Sequence, residues 1–206
     1  EHVDDHSHWY GPASNENITN IEAVDGYIGR LLEGVSALPH GDQVNIIALS
    51  DHGQGVYFED QEPFILDDHV DIEDTRIIES GPYAFLYFQT PDVQRATAMA
   101  ETINERWKHG QAYLPETAPP AWRVGDNKSF PDLIVIPDGG YAVLSSADKV
   151  GKINAGDHGW APEWQAMHGL FIASGPNIRA GVSLGDVRNV DIYPLMTSIL
   201  GLEPAP

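Results

Sequence analysis

The sequence contains no cysteine. Disulfides, thiolate metal sites and cysteine nucleophiles are therefore excluded. Basic residues are scarce: Lys+Arg total 11 against 31 Asp+Glu, a formal net charge of −20. A protein that grips a nucleic-acid duplex through its phosphates needs a basic face. Duplex binding is thus not expected, nor is attachment to an anionic membrane surface. The acid surplus reads as a solubilising surface, part of which bound cations can offset locally. Long apolar runs are missing too: none approaches the ~20 residues that cross a bilayer. No signal peptide is visible. What remains is 206 residues, 42% of them apolar, enough for one large domain with a real core.

The most informative stretch is Val44 to Gln54, Val-Asn-Ile-Ile-Ala-Leu-Ser-Asp-His-Gly-Gln. Its mostly apolar first half lies between Gly41-Asp42 and Gly53. That pattern predicts a strand over 44–49, buried on both faces as in a parallel sheet. In open α/β sheets ligands bind beyond the carboxyl ends of strands, which is where Asp51 and His52 fall. A carboxylate beside an imidazole suits zinc, iron or manganese better than calcium.

Elsewhere the chain alternates between helix and strand signals, the mark of an α/β protein. Residues 4–12 read as a loop closed by Gly11-Pro12. Ile18, Ile21, Val24, Ile28, Leu31 and Val35 recur at helical spacing, with Ser14 or Asn15 as cap and Pro39 and Gly41 as stop. Strands are expected over 82–88, 112–114, 133–136, 141–144 and 168–173, and helices from Thr90 towards Gly110 and over 192–200. The chain is expected to form one domain over 1–206, with 55–80 and 110–130 as surface excursions. Few residues precede the acidic and imidazole groups at Asp4 to His8. The chain is therefore expected to begin inside a fold, and by itself to expose an open apolar sheet edge.

Nine histidines are present, most of them in three small Asp/His/Gly clusters. Asp4 and His8 are four residues apart; Asp51 and His52 are adjacent; His158 lies between Gly156 and Gly159, where close backbone approach is easy. One such cluster is unremarkable. Three in one chain, two beside predicted strands, favour a metal site over satisfied core histidines.

These clusters resemble, in order and spacing, the motifs of the type I phosphodiesterase/nucleotide pyrophosphatase family of the alkaline phosphatase superfamily. Asp4, His8, Gly11 and Pro12 match its Asp-x-x-x-His-x-x-Gly-Pro; residues 50–53 match its Ser-Asp-His-Gly; residues 156–159 match its Gly-x-His-Gly. Met167 to Pro176 and Asn189 to Tyr193 are also similar to the family, so the resemblance covers essentially the whole chain. It implies an α/β, alkaline phosphatase-like three-layer sandwich with a mostly parallel central sheet flanked by helices, of which this chain is the C-terminal half. It implies two zinc ions, with manganese or iron as alternatives: Asp4, His8 and His158 on one, Asp51 and His52 on the other. It also implies hydrolysis of phosphodiester or pyrophosphate bonds, with nucleotide derivatives as substrates and a nucleoside monophosphate released. A periplasmic or secreted location follows from the same likeness.

The family's nucleophile is a threonine well upstream of the first motif, accompanied by a further metal-binding aspartate. Every threonine here follows Asp4, so the nucleophile is expected before residue 1 and none is nominated within the chain. Ser7 replaces a usual glycine, and Gln54 stands where methionine is common. Gln54 is expected to alter either the packing or the hydrogen bonding around the ligands. Asp5 is the alternative ligand if the first loop shifts by one residue; His6 and His69 are expected to be solvent-exposed, and Asp157 to shape the turn at His158. Trp9, Tyr10, Trp160 and Trp164 flank the clusters, either to stack on a base or to support loops. Two rival readings stand beside the main one: a phosphonate hydrolase or phosphomonoesterase of the same superfamily, and a metal-binding domain without catalysis.

Overall fold

The computed structural model describes residues 2–79, 81–124, 129–151 and 153–205. The chain is described as two compact units. The first comprises residues 1–20 and 54–168; the second, 21–53 and 169–206.

The first unit is built on a four-stranded sheet ordered β3-β4-β6-β5. Its strands are β3 (Thr75–Glu79), β4 (Ala84–Phe88), β5 (Gly110–Tyr113) and β6 (Leu133–Pro137). Along β4, Ala84, Leu86 and Phe88 are buried and the residues between them are not, the alternation of a half-covered strand. The cover is helix α3 (Val93–Arg106), which buries Ala96, Met99, Ala100 and Ile103. Those positions form one stripe at helical spacing. Asp92 caps the helix by accepting the Arg95 N–H at 3.0 Å. Near its end, the Asn104 side chain bonds both the N–H and the C=O of Ala112, at 2.7 and 3.0 Å, fastening helix to strand.

A short parallel pair, β2 (Phe64–Ile65) with β7 (Val143–Leu144), adds Phe64 and Val143 to the same core. The excursion expected over 55–80 is thereby corrected. It carries β2 and β3 and places Phe64 and Leu66 in the core, apolar positions that its acidic composition hides. The 110–130 segment likewise begins with a paired strand in which Ala112 is buried, while its proline-rich remainder contains only short turns of 3₁₀ helix among the described residues.

The first turn of sequence also differs from expectation. Residues 4–12 do not form a loop; helix α1 spans His2–Tyr10. No glycine or proline interrupts the chain before Gly11, and Asp4 and Asp5 sit in the first turn, where carboxylates favour a helix. Helix α2 (Asn15–Ser36) follows, its start fixed by the Asn17 N–H on Ser14 Oγ at 3.1 Å.

The second unit holds β1 (Ile46–Leu49) paired with β8 (Phe171–Ser174), and helix α4 (Ile192–Leu200). The pairing is antiparallel, so the parallel neighbours expected for β1 are not what the described residues supply. Most other pairs are antiparallel too, β2–β7 excepted. Residues 80–83 alone separate β3 from β4, and so short a connection can only reverse direction. Nor is β1 buried on both faces: Leu49 is exposed and the rest are half-buried, because a two-stranded ribbon has no layers around it. The apolar row of α2 is real, but Ile18, Ile21, Val24 and Leu31 are exposed.

The sheet-on-helix core should dominate the stability of the first unit. Leu86 is 0% exposed at its centre. Leu86→Ala is expected to cost about 2–5 kcal/mol, read as a lowered urea midpoint with an unchanged slope. A loss below ~1 kcal/mol would show that this layer does not carry the fold.

Candidate metal centre

Helix α1 puts Asp4 and His8 on one face because residues four apart are neighbours on a helix. The helix ends at Gly11, whose φ of 89° suits glycine, with its N–H on Ser7 O at 2.9 Å. A distant loop then folds onto this end. Ala155 N–H donates to His8 O at 2.8 Å. A Cβ at Gly156 would lie 2.6 Å from Ser7 O and 2.8 Å from Pro12 Cδ, so the approach requires glycine. This contact delivers His158 to the face that carries Asp4 and His8.

The three side chains converge. Each offers one ligand atom, and the atoms lie within 4.8 Å of one another. His8 Nε2 is 3.5 Å from Asp4 Oδ1, and His158 Nε2 is 3.8 Å from the same oxygen. Ligand atoms around a tetrahedral zinc stand ~3.4 Å apart, given Zn–N and Zn–O lengths of ~2.1 Å. His8 Nδ1 meets Gly156 O at 2.9 Å. The carbonyl accepts the Nδ1 proton and leaves the Nε2 lone pair facing Asp4. With two imidazoles, one carboxylate and partial exposure of all three, the donors fit a transition metal with an open position.

Two further residues shape this cluster. Gln54 Nε2 donates to Asp4 Oδ1 at 2.5 Å, while its buried Oε1 has no hydrogen-bond partner. The substitution of glutamine for the family's common methionine therefore places a polar hand on the ligand itself. Asp157 is buried, and its Oδ1 accepts the His158 N–H at 2.9 Å. Its Oδ2 accepts from Tyr57 Oη at 2.9 Å and Asn154 Nδ2 at 3.3 Å. Nothing in the sequence marked Tyr57 or Asn154; both become visible only when the strand-like bridge between Gly55 and Asp157 is formed.

Asp51 and His52 follow β1 directly, with Ser50 bonded to Leu170 through both its N–H and its hydroxyl. Asp51 is 86% exposed, and its Oδ2 lies 3.6 Å from His52 Nε2. His52 Nδ1 meets Gly53 O at 3.0 Å, the same backbone anchoring seen at His8. These two residues belong to the second unit and form a pair of donors of their own.

Other residues singled out from sequence have different roles. His6 Nδ1 bonds His2 O at 2.9 Å, and its ring packs against Trp9 and Tyr10. His69 is not solvent-exposed as expected; it stacks on the buried Phe64 at 4.4 Å, with Trp107 on the ring's other side. Trp160 is buried and donates to Tyr141 O, and the Trp164 ring fills the space above Gly55 and Gly139. Both tryptophans support loops. Trp9 and Tyr10 remain exposed.

An Asp/His/His cluster gathered from a helix and a glycine-tight loop could hold a divalent transition ion. Comparison with known proteins gives the family: residues 1–161 match "Type I phosphodiesterase / nucleotide pyrophosphatase", and the chain belongs to that family. It is 30% identical over 209 residues to the bis(5'-adenosyl)-triphosphatase ENPP4 of Homo sapiens. It is 27% identical over 210 residues to human ectonucleotide pyrophosphatase/phosphodiesterase family member 7. The structure superposes on murine ectonucleotide pyrophosphatase/phosphodiesterase 5 with a TM-score of 0.83 at 25% identity. That match covers 98% of this chain and 52% of the other. The alkaline phosphatase-like α/β fold is thereby established as a partial domain, and the chain spans 44% of the length of the two curated relatives named above.

Burial, and after it the neighbouring Asp157 carboxylate, push the Tyr57 phenol far above its ordinary value. A folded-state pKa above the unfolded one stabilises the fold at low pH, and that stability is lost as pH rises past the unfolded value of ~10. Replacing Tyr57 by Phe should therefore flatten the fall in melting temperature between about pH 9 and pH 11. Parallel alkaline profiles for the two proteins would show that Tyr57 is not held neutral by the fold.

Proposed function

We propose that this chain forms part of the catalytic domain of a two-metal hydrolase that cleaves phosphodiester or pyrophosphate bonds of nucleotide derivatives and releases a nucleoside monophosphate. The observation that carries the reading is the convergence of Asp4, His8 and His158 on one point. Family membership supports the reaction type. The name of the human relative as a bis(5'-adenosyl)-triphosphatase supports a dinucleoside or nucleotide substrate. A solved relative, inactive through a threonine-to-alanine change and complexed with AMP, supports a threonine nucleophile and a nucleoside monophosphate product.

In this reading Asp4, His8 and His158 hold one ion, and Asp51 and His52 contribute to a second. Zinc suits the donor set best, with manganese or iron as alternatives. Bound ions in such a pair act as Lewis acids on the attacking and leaving oxygens of an in-line displacement. The protein's own part is orientation. Gly156 O and Gly53 O anchor the two imidazoles at Nδ1, so Nε2 is the ligand atom each would offer. Gln54 holds Asp4 in place. The nucleophilic threonine is assigned to sequence outside these 206 residues, as is a further aspartate for the second ion. A secreted or periplasmic location accords with relatives named as ectonucleotidases. No helix among the described residues is long and apolar enough to cross a membrane.

The test is hydrolysis of the nitrophenyl ester of thymidine monophosphate by the intact protein, compared with nitrophenyl phosphate, with and without chelator. Diester turnover should exceed monoester turnover, should vanish with chelator, and should return with zinc. His158→Ala and Asp51→Ala are each expected to lower turnover more than ~100-fold while leaving the fold intact, because both positions lie on loops. Preference for the monoester would favour the phosphomonoesterase alternative. Full activity in either variant at saturating zinc would remove that residue from the site.

A further inference from the structure

Position 157 is the variable place in the Gly-x-His-Gly pattern, and the family motif assigns it no role. Here it is an aspartate, 2% exposed, in the wall of the cluster. Its backbone pairs with Gly55 in both directions, at 2.8 and 2.9 Å, so the residue cannot swing out. Three donors, Tyr57 Oη, Asn154 Nδ2 and its neighbour's N–H, solvate the carboxylate in place of water. Its Oδ1 also lies 3.6 Å from His8 Nδ1. That distance is too long for a hydrogen bond, and Gly156 O already takes the Nδ1 proton at 2.9 Å. The carboxylate therefore acts on the imidazole through its field, across a gap with little water to screen it.

We propose that Asp157 is a positioning residue of the metal site, whose buried negative charge behind His8 strengthens that ring as a donor and raises the affinity of the Asp4–His8–His158 site for a divalent transition ion. The inference rests on the metal-site reading above. When an ion withdraws electron density from His8 Nε2, the ring becomes more positive and its Nδ1–H more acidic. A fixed anion on the Nδ1 side favours that polarised state over the metal-free one. Groups hydrogen-bonded behind metal-bound imidazoles are worth about 10–100-fold in affinity, which sets an upper bound for a carboxylate acting at 3.6 Å through its field. Asp157 is not itself a ligand, since its oxygens are already committed to three donors and it is set behind the ring.

A purely structural role, shaping the turn before His158, must be separated from this electrostatic one. Asp157→Asn does so in combination with Tyr57→Phe: the amide keeps an oxygen for the His158 N–H and removes the charge, together with the acceptor that Tyr57 and Asn154 use. Tyr57→Phe is the converse, removing a hydrogen bond and leaving the charge. The measurement is zinc affinity by competition with a chromophoric chelator, using the intact protein in a background carrying Asp51→Asn and His52→Gln so that one site is read. Melting temperatures of the metal-free forms are recorded alongside.

The parent should bind one zinc; failure to bind would overturn the site reading and this inference with it. Asp157→Asn should bind about 10–100-fold more weakly with a metal-free melting temperature close to that of the parent. Tyr57→Phe should stay within about threefold of the parent. Zinc affinity of Asp157→Asn equal to the parent's, with the parent site intact, would overturn the role of Asp157 alone. Equal losses in both variants would assign the effect to turn geometry and overturn it as well. If Asp157→Asn does not fold, Asp157→Ser supplies the second reading, because Asn154 also touches His8 Nδ1 at 3.2 Å and is no clean control: serine keeps a hydroxyl acceptor without the charge, so parental zinc affinity there would overturn the proposal and a loss beyond tenfold would support it.

Discussion

The site depends on one close contact between backbones. The loop carrying His158 reaches the end of α1 because Ala155 N–H takes the carbonyl of His8 and because residue 156 has no side chain to meet Ser7 and Pro12. The same carbonyl-rich approach gives His8 its Nδ1 acceptor. One contact thus sets the position of the third ligand and the tautomer of the second. Any side chain at 156 would have to displace backbone on the opposite side, so the metal geometry and the local fold cannot be varied separately.

Much of this was legible because chemistry-bearing residues sit in short motifs bounded by glycine. Asp4, His8 and His158 could be grouped from spacing and family likeness, and the structure brings them together without any adjustment of residue. The helical stripe of α3 and the strands at 84–88 and 133–137 were equally plain, since the first two each have one buried face with its own period and the third is a continuous apolar run, buried on both faces. What could not be read was anything set by non-local pairing. Residues 4–12 read as a loop because Gly11-Pro12 closes them, yet the chain is helical up to Tyr10 and the loop at 155–156 packs on the helix end. Phe64 and Leu66 were lost among acids because a two-residue strand shows no periodicity. The direction of the pairings among the described residues was not legible for a related reason: an apolar run signals burial and carries no information about its partner's polarity.

The second unit makes the complementary point about burial. Its residues Leu49, Leu170, Ile172, Tyr193 and Leu200 are all exposed although the sequence writes them as interior. A ribbon of two strands offers no second layer, so apolar pattern and actual burial separate here. They agree in the first unit, where α3 closes the sheet. Asp51 and His52 nevertheless keep a defined local geometry. Ser50 is tied to Leu170 and the His52 ring to Gly53 O, interactions that need only the neighbouring chain.

The two carboxylates near His8 show how burial divides labour between identical groups. Asp157 is enclosed and satisfied by three donors, so an ion would have to strip it of hydrogen bonds before using it. Asp4 is 39% exposed, and among the described residues its Oδ1 meets the Gln54 amide besides the two histidines. That amide is a neutral donor whose own oxygen is buried without a partner. An ion arriving at Asp4 therefore competes with a single neutral hydrogen bond, held by a residue already under a desolvation cost. Gln54 is suited to keep the empty ligand aimed and to yield when charge arrives. Methionine at the same place could fill the space but could not hold the carboxylate, so this protein orients its first ligand by hydrogen bonding where its relatives' usual residue could do so only by packing.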